Sequence, residues 1–310
     1  MQPNGNPLRD VHSAADTSQA LASPAKTSLF DLQLVSFSTL AVYIMKNYSL
    51  PIFSCWFILF LLYWEPIPIT AQSGEEPEFD YIEGSPKGPQ HWGELKPEWA
   101  ECKDGVSQSP IDILNKNVKI ASTGDLRLNY KASNATVKNT GFSIEVAWEG
   151  DAGTIHINGK DYPLQQCHWH LPSEHLINGK RYELELHMAH IDASNKISVA
   201  HAQFYQIGEP DSFLSKFTEE IKSLVKKKEE RPRGVIDPRD SNMDAVKYYK
   251  YNGSQTFPPC AEGITWIINE KINTVSNEQV QLLREANFDY AKNNARPVQA
   301  LNDREIFRYC

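Results

Sequence analysis

Two Asn-Gly pairs, Asn158-Gly159 and Asn178-Gly179, sit among short β-type runs between about Leu126 and Tyr205. Both residues of such a pair tolerate positive φ, which makes Asn-Gly the strongest short-range hairpin signal. The middle of the chain is thereby committed to strands joined by turns. Gly153-Thr-Ile-His-Ile157 leads into the first pair. Gln166-Cys-His-Trp-His170 and Glu183-Leu-Glu-Leu-His187 lie on either side of the second.

Side chains alternate faces along a strand. His168 and His170 therefore share one face, and Glu185 and His187 share a face of the next strand. A two-residue turn at Asn178-Gly179 pairs His170 with His187, although the intervening Pro172 argues against so tight a loop. The parity brings three imidazoles together across antiparallel strands. Three neutral imidazoles and a water complete a tetrahedral catalytic zinc site. The plainer alternative is a set of ordinary core or surface histidines.

Outside this region the pattern is helical in two places. From Ser212 to Glu229, Phe213, Phe217, Ile221, Leu224 and Val225 fall on one face, which predicts a helix. Lys226-Lys-Lys-Glu-Glu-Arg231 reads as its solvated end beside a Pro-rich loop. A second helix is predicted from Ser276 to about Ala286, with Gln279 completing a capping box. Residues 72–90 form a Pro/Gly-punctuated arm. The formal charge of −8, from 31 basic and 39 acidic residues, excludes the basic footprint of a nucleic-acid binder.

The N-terminus has a different character. Met45-Lys46 precede 18 uncharged residues, Asn47 to Trp64, with an apolar centre from Ile52 to Tyr63 and then Thr70-Ala71-Gln72. That is the layout of a secretory signal peptide over residues 45–71, cleaved near Ala71. The alternative is a single membrane anchor, against which Pro51 and the short apolar centre weigh. Residues 1–44 are an extension of uncertain role. Residues 72–310 read as one β-dominated domain with peripheral helices and no membrane span after signal removal. The sequence carries no signal of oligomeric state.

No CxxC exists, so a Cys-only zinc site is not expected. A long-range disulfide is the default in a secreted chain. Cys102 and Cys260 both lie in Pro/Gly-rich turn segments and are candidate partners. Cys167 reads as a buried thiol and Cys310 as free or intermolecular. Asn134-Ala-Thr136 and Asn252-Gly-Ser254 match the N-glycosylation acceptor. Asn134 is expected in an accessible polar turn, and Asn252 in an enclosed position.

The blocks Gln166-Cys-His-Trp-His170, Pro172-Ser-Glu-His175 and Glu185-Leu-His187 resemble the signature of the α-class carbonic anhydrases, in particular their secreted plant branch. Ser107-Gln-Ser-Pro-Ile-Asp112, Tyr251-Asn-Gly-Ser254, Pro258-Pro-Cys-Ala-Glu-Gly263 and Asn294-Ala-Arg-Pro-Val298 extend the resemblance over most of residues 72–310. It implies a mainly β, β-rich α+β single domain around a large twisted, mostly antiparallel sheet, with Zn2+ at the base of a conical cleft. It further implies reversible hydration of CO2 to bicarbonate and a proton. By position, His168, His170 and His187 match the zinc ligands, and Gln166 and Glu185 match groups that orient them. Thr256 and Glu174 match the hydroxyl and carboxylate that aim the nucleophile. The family's disulfide falls on Cys102 and Cys260.

Several positions depart from that pattern. Phe142 stands where the proton-shuttle histidine is expected, and Phe cannot titrate. Gln255 and Phe257 flank Thr256 on the substrate side of the cleft. His201 and Gln203 interrupt a strand expected to supply apolar cleft walls, and Leu171 replaces a common Ser. These changes spare the three ligands, Glu174 and Thr256. The expectation is a slowed hydratase in the secretory pathway, destined for the apoplast, a vacuole or a plastid. A catalytically inactive storage or defence protein is the alternative, and a carbohydrate- or partner-binding module using the remodelled cleft is a third.

Overall fold

The computed structural model describes residues 76–310, and Glu75–Cys310 form a compact unit of their own. The predicted signal segment, Cys55 and the 1–44 extension lie outside the described residues. No helix among the described residues is long and apolar enough to cross a membrane.

The described strands begin with β1 (Asp112–Ile113), β2 (Val118–Ala121), β3 (Arg127–Tyr130), β4 (Ser133–Asn139) and β5 (Ile144–Glu149). Then come β6 (Gly153–Ile157), β7 (Lys160–His170), β8 (Leu176–Ile177), β9 (Leu184–Ile191) and β10 (Ile197–Ile207). The last are β11 (Glu230–Ile236), β12 (Tyr248–Ser254), β13 (Glu262–Val275) and β14 (Ile306–Tyr309). Ten of them form one path in the order β11-β4-β5-β7-β9-β10-β13-β12-β14-β2, with β3 and β6 attached beside β7. The sheet is mixed but mostly antiparallel: in it only β10 with β13 and β14 with β2 run parallel.

β9 shows why the sheet can carry a buried site. Leu184, Leu186 and Met188 face one way and Glu185, His187 and Ala189 the other, yet all six are buried. The apolar row packs into the largest core, beside Cys167, Trp169, Phe213 and Phe217. The polar row lies against a second cluster containing Ala200, Tyr251, Ile264 and Trp266. Burying polar groups is tolerable only where they pair with one another or hold a ligand.

Asn158 and Gly159 have φ of 53° and 71° and join β6 to β7 in a two-residue turn that pairs Ile157 with Lys160. Asn178 and Gly179 also have positive φ, 50° and 77°, but their turn joins Ile177 to Lys180 locally. The β7–β9 register is consequently not the one that turn predicts. His168, not His170, lies opposite His187, and His170 lies opposite Glu185. The cause is β8, which leaves the hairpin to pair in parallel with β1. The shift is by two residues, so every side chain keeps its face.

The helix predicted over Ser212–Glu229 is two shorter ones. With α1 (Trp92–Leu95) and α2 (Glu101–Asp104) near the start, these are α3 (Ser212–Ser215) and α4 (Thr218–Ser223). Phe213, Phe217, Ile221 and Leu224 are fully buried as the stripe requires. The helix breaks at Lys216-Phe217, where the Lys216 carbonyl is taken by Arg233 Nε. The expected Pro-rich loop is the edge strand β11, paired only with β4. Pro232 fits there because an edge strand does not need every N–H. The final helix α5 (Asn277–Ala286) has the predicted Ser276–Gln279 capping box.

Cys102 and Cys260 are joined by a disulfide, while Cys167 is a buried and Cys310 an exposed free thiol. Asn134 is exposed, but on β4 between two paired neighbours rather than in a turn, and Thr136 of the same motif is buried. Asn252, expected to be enclosed, is exposed on β12.

Candidate metal centre

His168 and His170 project from β7 and His187 from β9, on one face of the sheet. Their ring centroids are 4.6–5.3 Å apart, and one nitrogen from each lies within 4.8 Å of the others. Each ring is oriented by an acceptor on its remaining nitrogen. His168 Nδ1 donates to Gln166 Oε1 at 2.9 Å, and His170 Nδ1 to the Asn294 carbonyl at 2.7 Å. His187 Nε2 donates to Glu185 Oε1 at 2.8 Å. Since each partner accepts, the proton sits on that nitrogen and the lone pair on the other. His168 Nε2 and His170 Nε2 are buried with no partner among the described residues. Unpaired buried nitrogens normally carry a cost. Three imidazole lone pairs, His187 Nδ1 being the third, are the donor set of a catalytic zinc ion.

Electrostatics keep the rings neutral. Burial pushes His168 well below the usual imidazole range, aided by the neighbouring His170 and His187 rings. Burial and His187 bring His170 down to about 3. Burial also lowers His187, against the pull of Glu185. Burial alone would raise Glu185, but the imidazoles of His175 and His187 outweigh it and hold the carboxylate well below its ordinary value.

Glu174 is fully buried beside this cluster. Its Oε1 accepts the Arg296 backbone N–H at 2.9 Å, and its Oε2 lies 4.0 Å from His187 Nδ1. Oε2 has no bond of full hydrogen-bond geometry, although the Thr256 hydroxyl is near enough to lower the carboxyl's pKa. Burial prevails and pushes Glu174 well above the carboxylate range. A cation at the three imidazoles would draw it back.

Thr256 lies on a short loop fastened at several points. Gln255 N donates to the Ala261 carbonyl, Cys260 N to the Phe257 carbonyl, and Cys260 carries the disulfide. Gln255, Thr256 and Phe257 line a cavity of about 30 Å3 against His168 and His187, walled by Ala189, Ala200, Ile264 and Trp266. Phe257 lies 6.4 Å from the His168 ring, between centroids, and 5.4 Å from Phe142, which in turn lies 5.3 Å from Phe79. Phe257, Phe142 and Phe79 thus form an aromatic row beginning beside His168.

His201 and Gln203 do not belong to this cleft. They face the opposite side of the sheet, because His201 pairs with Met188 while Ala202 pairs with His187. There His201 Nε2 contacts Asn269 Oδ1 at 2.9 Å, and Gln203 Oε1 accepts from Asn269 Nδ2. Leu171 is buried in the core on that side. Residues to which the sequence reading gave no role also support the centre. Asn294 supplies a carbonyl to His170 from 124 residues away, while its side chain ties Leu171 N, Phe142 O and Trp169 O together. His175 Nδ1 shares Glu185 Oε1 with His187, and its Nε2 contacts Tyr251 Oη at 2.6 Å. A backbone carbonyl has no residue signature, so Asn294 was signalled only by its block.

The comparisons with known proteins agree with this geometry. Residues 87–310 match the family described as eukaryotic-type carbonic anhydrase. Carbonic anhydrase Nec1 of Nesocodon mauritianus is 53% identical over 82% of this chain and 93% of its own. Alpha carbonic anhydrase 7 of Arabidopsis thaliana is 47% identical over 76% of this chain and 86% of its own. The crystal structure of dioscorin complexed with ascorbate superposes with a TM-score of 0.72 and 41% identity, over 75% of this chain and 98% of that one. The chain belongs to the eukaryotic-type, or α-class, carbonic anhydrase family.

Proposed function

We propose that the chain is a zinc-dependent carbonic anhydrase that interconverts CO2 and bicarbonate, with proton export slowed by Phe142. The observation that supports this most is the trio of buried imidazoles, each turned by a separate acceptor so that His168 Nε2, His170 Nε2 and His187 Nδ1 are left to hold one ion. Zinc held there acts as a Lewis acid and lowers the pKa of water to about 7, a value long known for carbonic anhydrases rather than one read from this site.

The remaining work falls to the chain's own groups. Gln166, Glu185 and the Asn294 carbonyl hold the ring tautomers, which orients the ligands and raises their basicity. The Thr256 hydroxyl passes its proton toward Glu174 and accepts from the nucleophile, fixing the direction of attack. Ala189, Ala200, Ile264 and Trp266 give the apolar substrate a dry surface. Phe142 offers no group to carry the released proton outward.

Residues 45–71 are proposed to direct the chain into the secretory pathway, leaving residues 72–310 as the mature domain. N-terminal sequencing of the native protein checks this, because recovery of residues 1–44 contradicts it. Asn134 is the proposed glycan site, supported by its exposure. The functional reading is tested by metal analysis of the mature protein together with a CO2 hydration assay. One zinc per chain with turnover supports it. Zinc without turnover at any buffer concentration favours the alternative, an inactive relative that keeps the fold and the metal. Absence of zinc removes both.

A further inference from the structure

We propose that Asn252 carries a second N-linked glycan, beside the one at Asn134. The proposal goes beyond the hydratase reading and rests on the secretory one.

The acceptor motif Asn252-Gly253-Ser254 closes β12, and the fold accounts for two of its three residues. A Cβ at Gly253 would meet Ser109 Oγ at 2.1 Å, a close approach that only glycine permits. Ser254 Oγ accepts the Ser109 N–H at 2.9 Å and donates to the Gln255 carbonyl at 2.7 Å. The Asn252 side chain has no comparable duty. Among the described residues its one hydrogen bond is long, Oδ1 accepting from Thr265 Oγ1 at 3.4 Å. It is also the one exposed residue of β12.

The surroundings have room for a bulky, solvated group. Tyr251 turns inward to His175, so Asn252, next on the strand, projects from the opposite face. β14 pairs with β12 only from Tyr248 to Lys250. Beyond that pairing an open groove of about 270 Å3 runs past Asn252, between Lys250, Arg304, Glu305 and Phe307. The groove can seat a first sugar, and its charged side chains can meet sugar hydroxyls. Asn134, by contrast, has a paired strand on both sides.

The donor would be the lipid-diphosphate-linked oligosaccharide of the secretory pathway. Asn252 Nδ2 bonds to the anomeric carbon of the first N-acetylglucosamine. The bond from that carbon to the diphosphate breaks, the lipid diphosphate leaves, and Nδ2 gives up one proton. Transfer precedes folding, so the later burial of Ser254 does not hinder it.

The test is glycopeptide mapping of the native protein. Asn-Gly also deamidates spontaneously, so the intact glycopeptide is read rather than the aspartate left by deglycosylation. Most copies of the Asn252 peptide should carry N-acetylglucosamine. Recovery of that peptide mainly unmodified overturns the proposal. The same digest then tells whether the secretory reading falls with it: an N-terminus near Gln72 and a glycan at Asn134 keep that reading, whereas residues 1–44 still attached and a bare Asn134 remove it. In the full chain expressed in plant cells, Asn252→Gln should migrate one glycan further on a gel, with zinc content and CO2 turnover unchanged. Migration identical to that of the wild type also overturns the proposal.

Discussion

His187 donates through Nε2 to Glu185 Oε1 at 2.8 Å, while His168 and His170 donate through Nδ1. The centre is thus offered one δ-nitrogen and two ε-nitrogens. The strand position alone does not decide it: Glu185, two residues before His187 on β9, bonds the distal nitrogen, whereas Gln166, two residues before His168 on β7, bonds the proximal one. Glu185 also accepts the Glu174 and His175 backbone N–H groups through Oε2, so its own position is fixed.

Removal of a ligand and loosening of its support should therefore be separable. His187→Ala should abolish stoichiometric zinc and hydration together. Glu185→Gln should keep the fold but weaken zinc retention roughly 10- to 100-fold, the usual cost of losing an outer partner of a ligating imidazole. Competition with a chelator measures both. Full zinc content in His187→Ala would show that the ligands are assigned wrongly.

The Cys102–Cys260 disulfide closes a separation of 158 residues. Loop-entropy models give up to about 5 kcal/mol for such a cross-link, with residual denatured-state structure reducing it. A larger functional effect is expected than for a remote bridge, because Cys260 lies in the fastened loop that bears Thr256 and its carbonyl accepts from Gln108 Nε2. Arg296 NH2 holds the Cys102 carbonyl from the other side, and the Arg296 N–H holds Glu174. The Cys102→Ser/Cys260→Ser protein should unfold at lower urea concentration and lose turnover before it loses zinc. Unchanged stability and rate in that variant would contradict the coupling.

Acid should destabilise the protein through histidines on the far face of the sheet. Burial, with a contribution from His201, brings His190 down to about 3, and burial brings His201 down to about 4. Both are neutral in the folded chain at pH 5, whereas the unfolded chain protonates them near pH 6.5. The unfolded state then binds more protons, so stability is complete above about pH 6.5 and falls as the pH drops toward 4. For a group displaced this far the loss by pH 5 is about 2 kcal/mol. His201→Gln removes one such group, so its urea midpoint should change less than the wild type's between pH 7.5 and 5. Equal slopes for the two proteins would remove His201 from the account.

What could be read in the sequence follows from the range of the forces involved. Leu184, Leu186 and Met188 alternate with Glu185, His187 and Ala189, and that period alone places three histidines on one face of two strands. The register is different in kind. It depends on β8 leaving to join β1 some 60 residues earlier in the chain, and no local pattern announces that pairing. His201 shows the limit of parity: alternation separates it from Ala202, but only the pairing of Ala202 with His187 tells which of the two meets the site. The Ser212–Glu229 stripe was legible as a buried face, whereas the break at Lys216 depends on Arg233 arriving from β11.

Proton export is the step that Phe142 should limit. Every hydration cycle releases a proton, which must leave the centre before the next CO2 can react. Phe142 packs, tilted, between Phe79 and Phe257, and Phe257 reaches the His168 ring. This row of three rings, which begins beside His168, contains no titratable atom. His201 offers no detour, because it is fully buried on the other face of the sheet. General acid–base groups contribute roughly 10²–10⁴-fold when well placed, so the deficit is expected to be large while zinc content stays normal. Millimolar imidazole, whose pKa lies near the working pH, should accelerate the wild type by carrying the proton itself. Phe142→His should raise kcat, flatten that buffer dependence and leave KM and zinc unchanged. If imidazole and Phe142→His are both without effect on a slow enzyme, the limit lies in the cavity at Gln255 and Phe257 instead. A wild-type rate that is already high and indifferent to buffer would show that protons leave by a route that avoids Phe142.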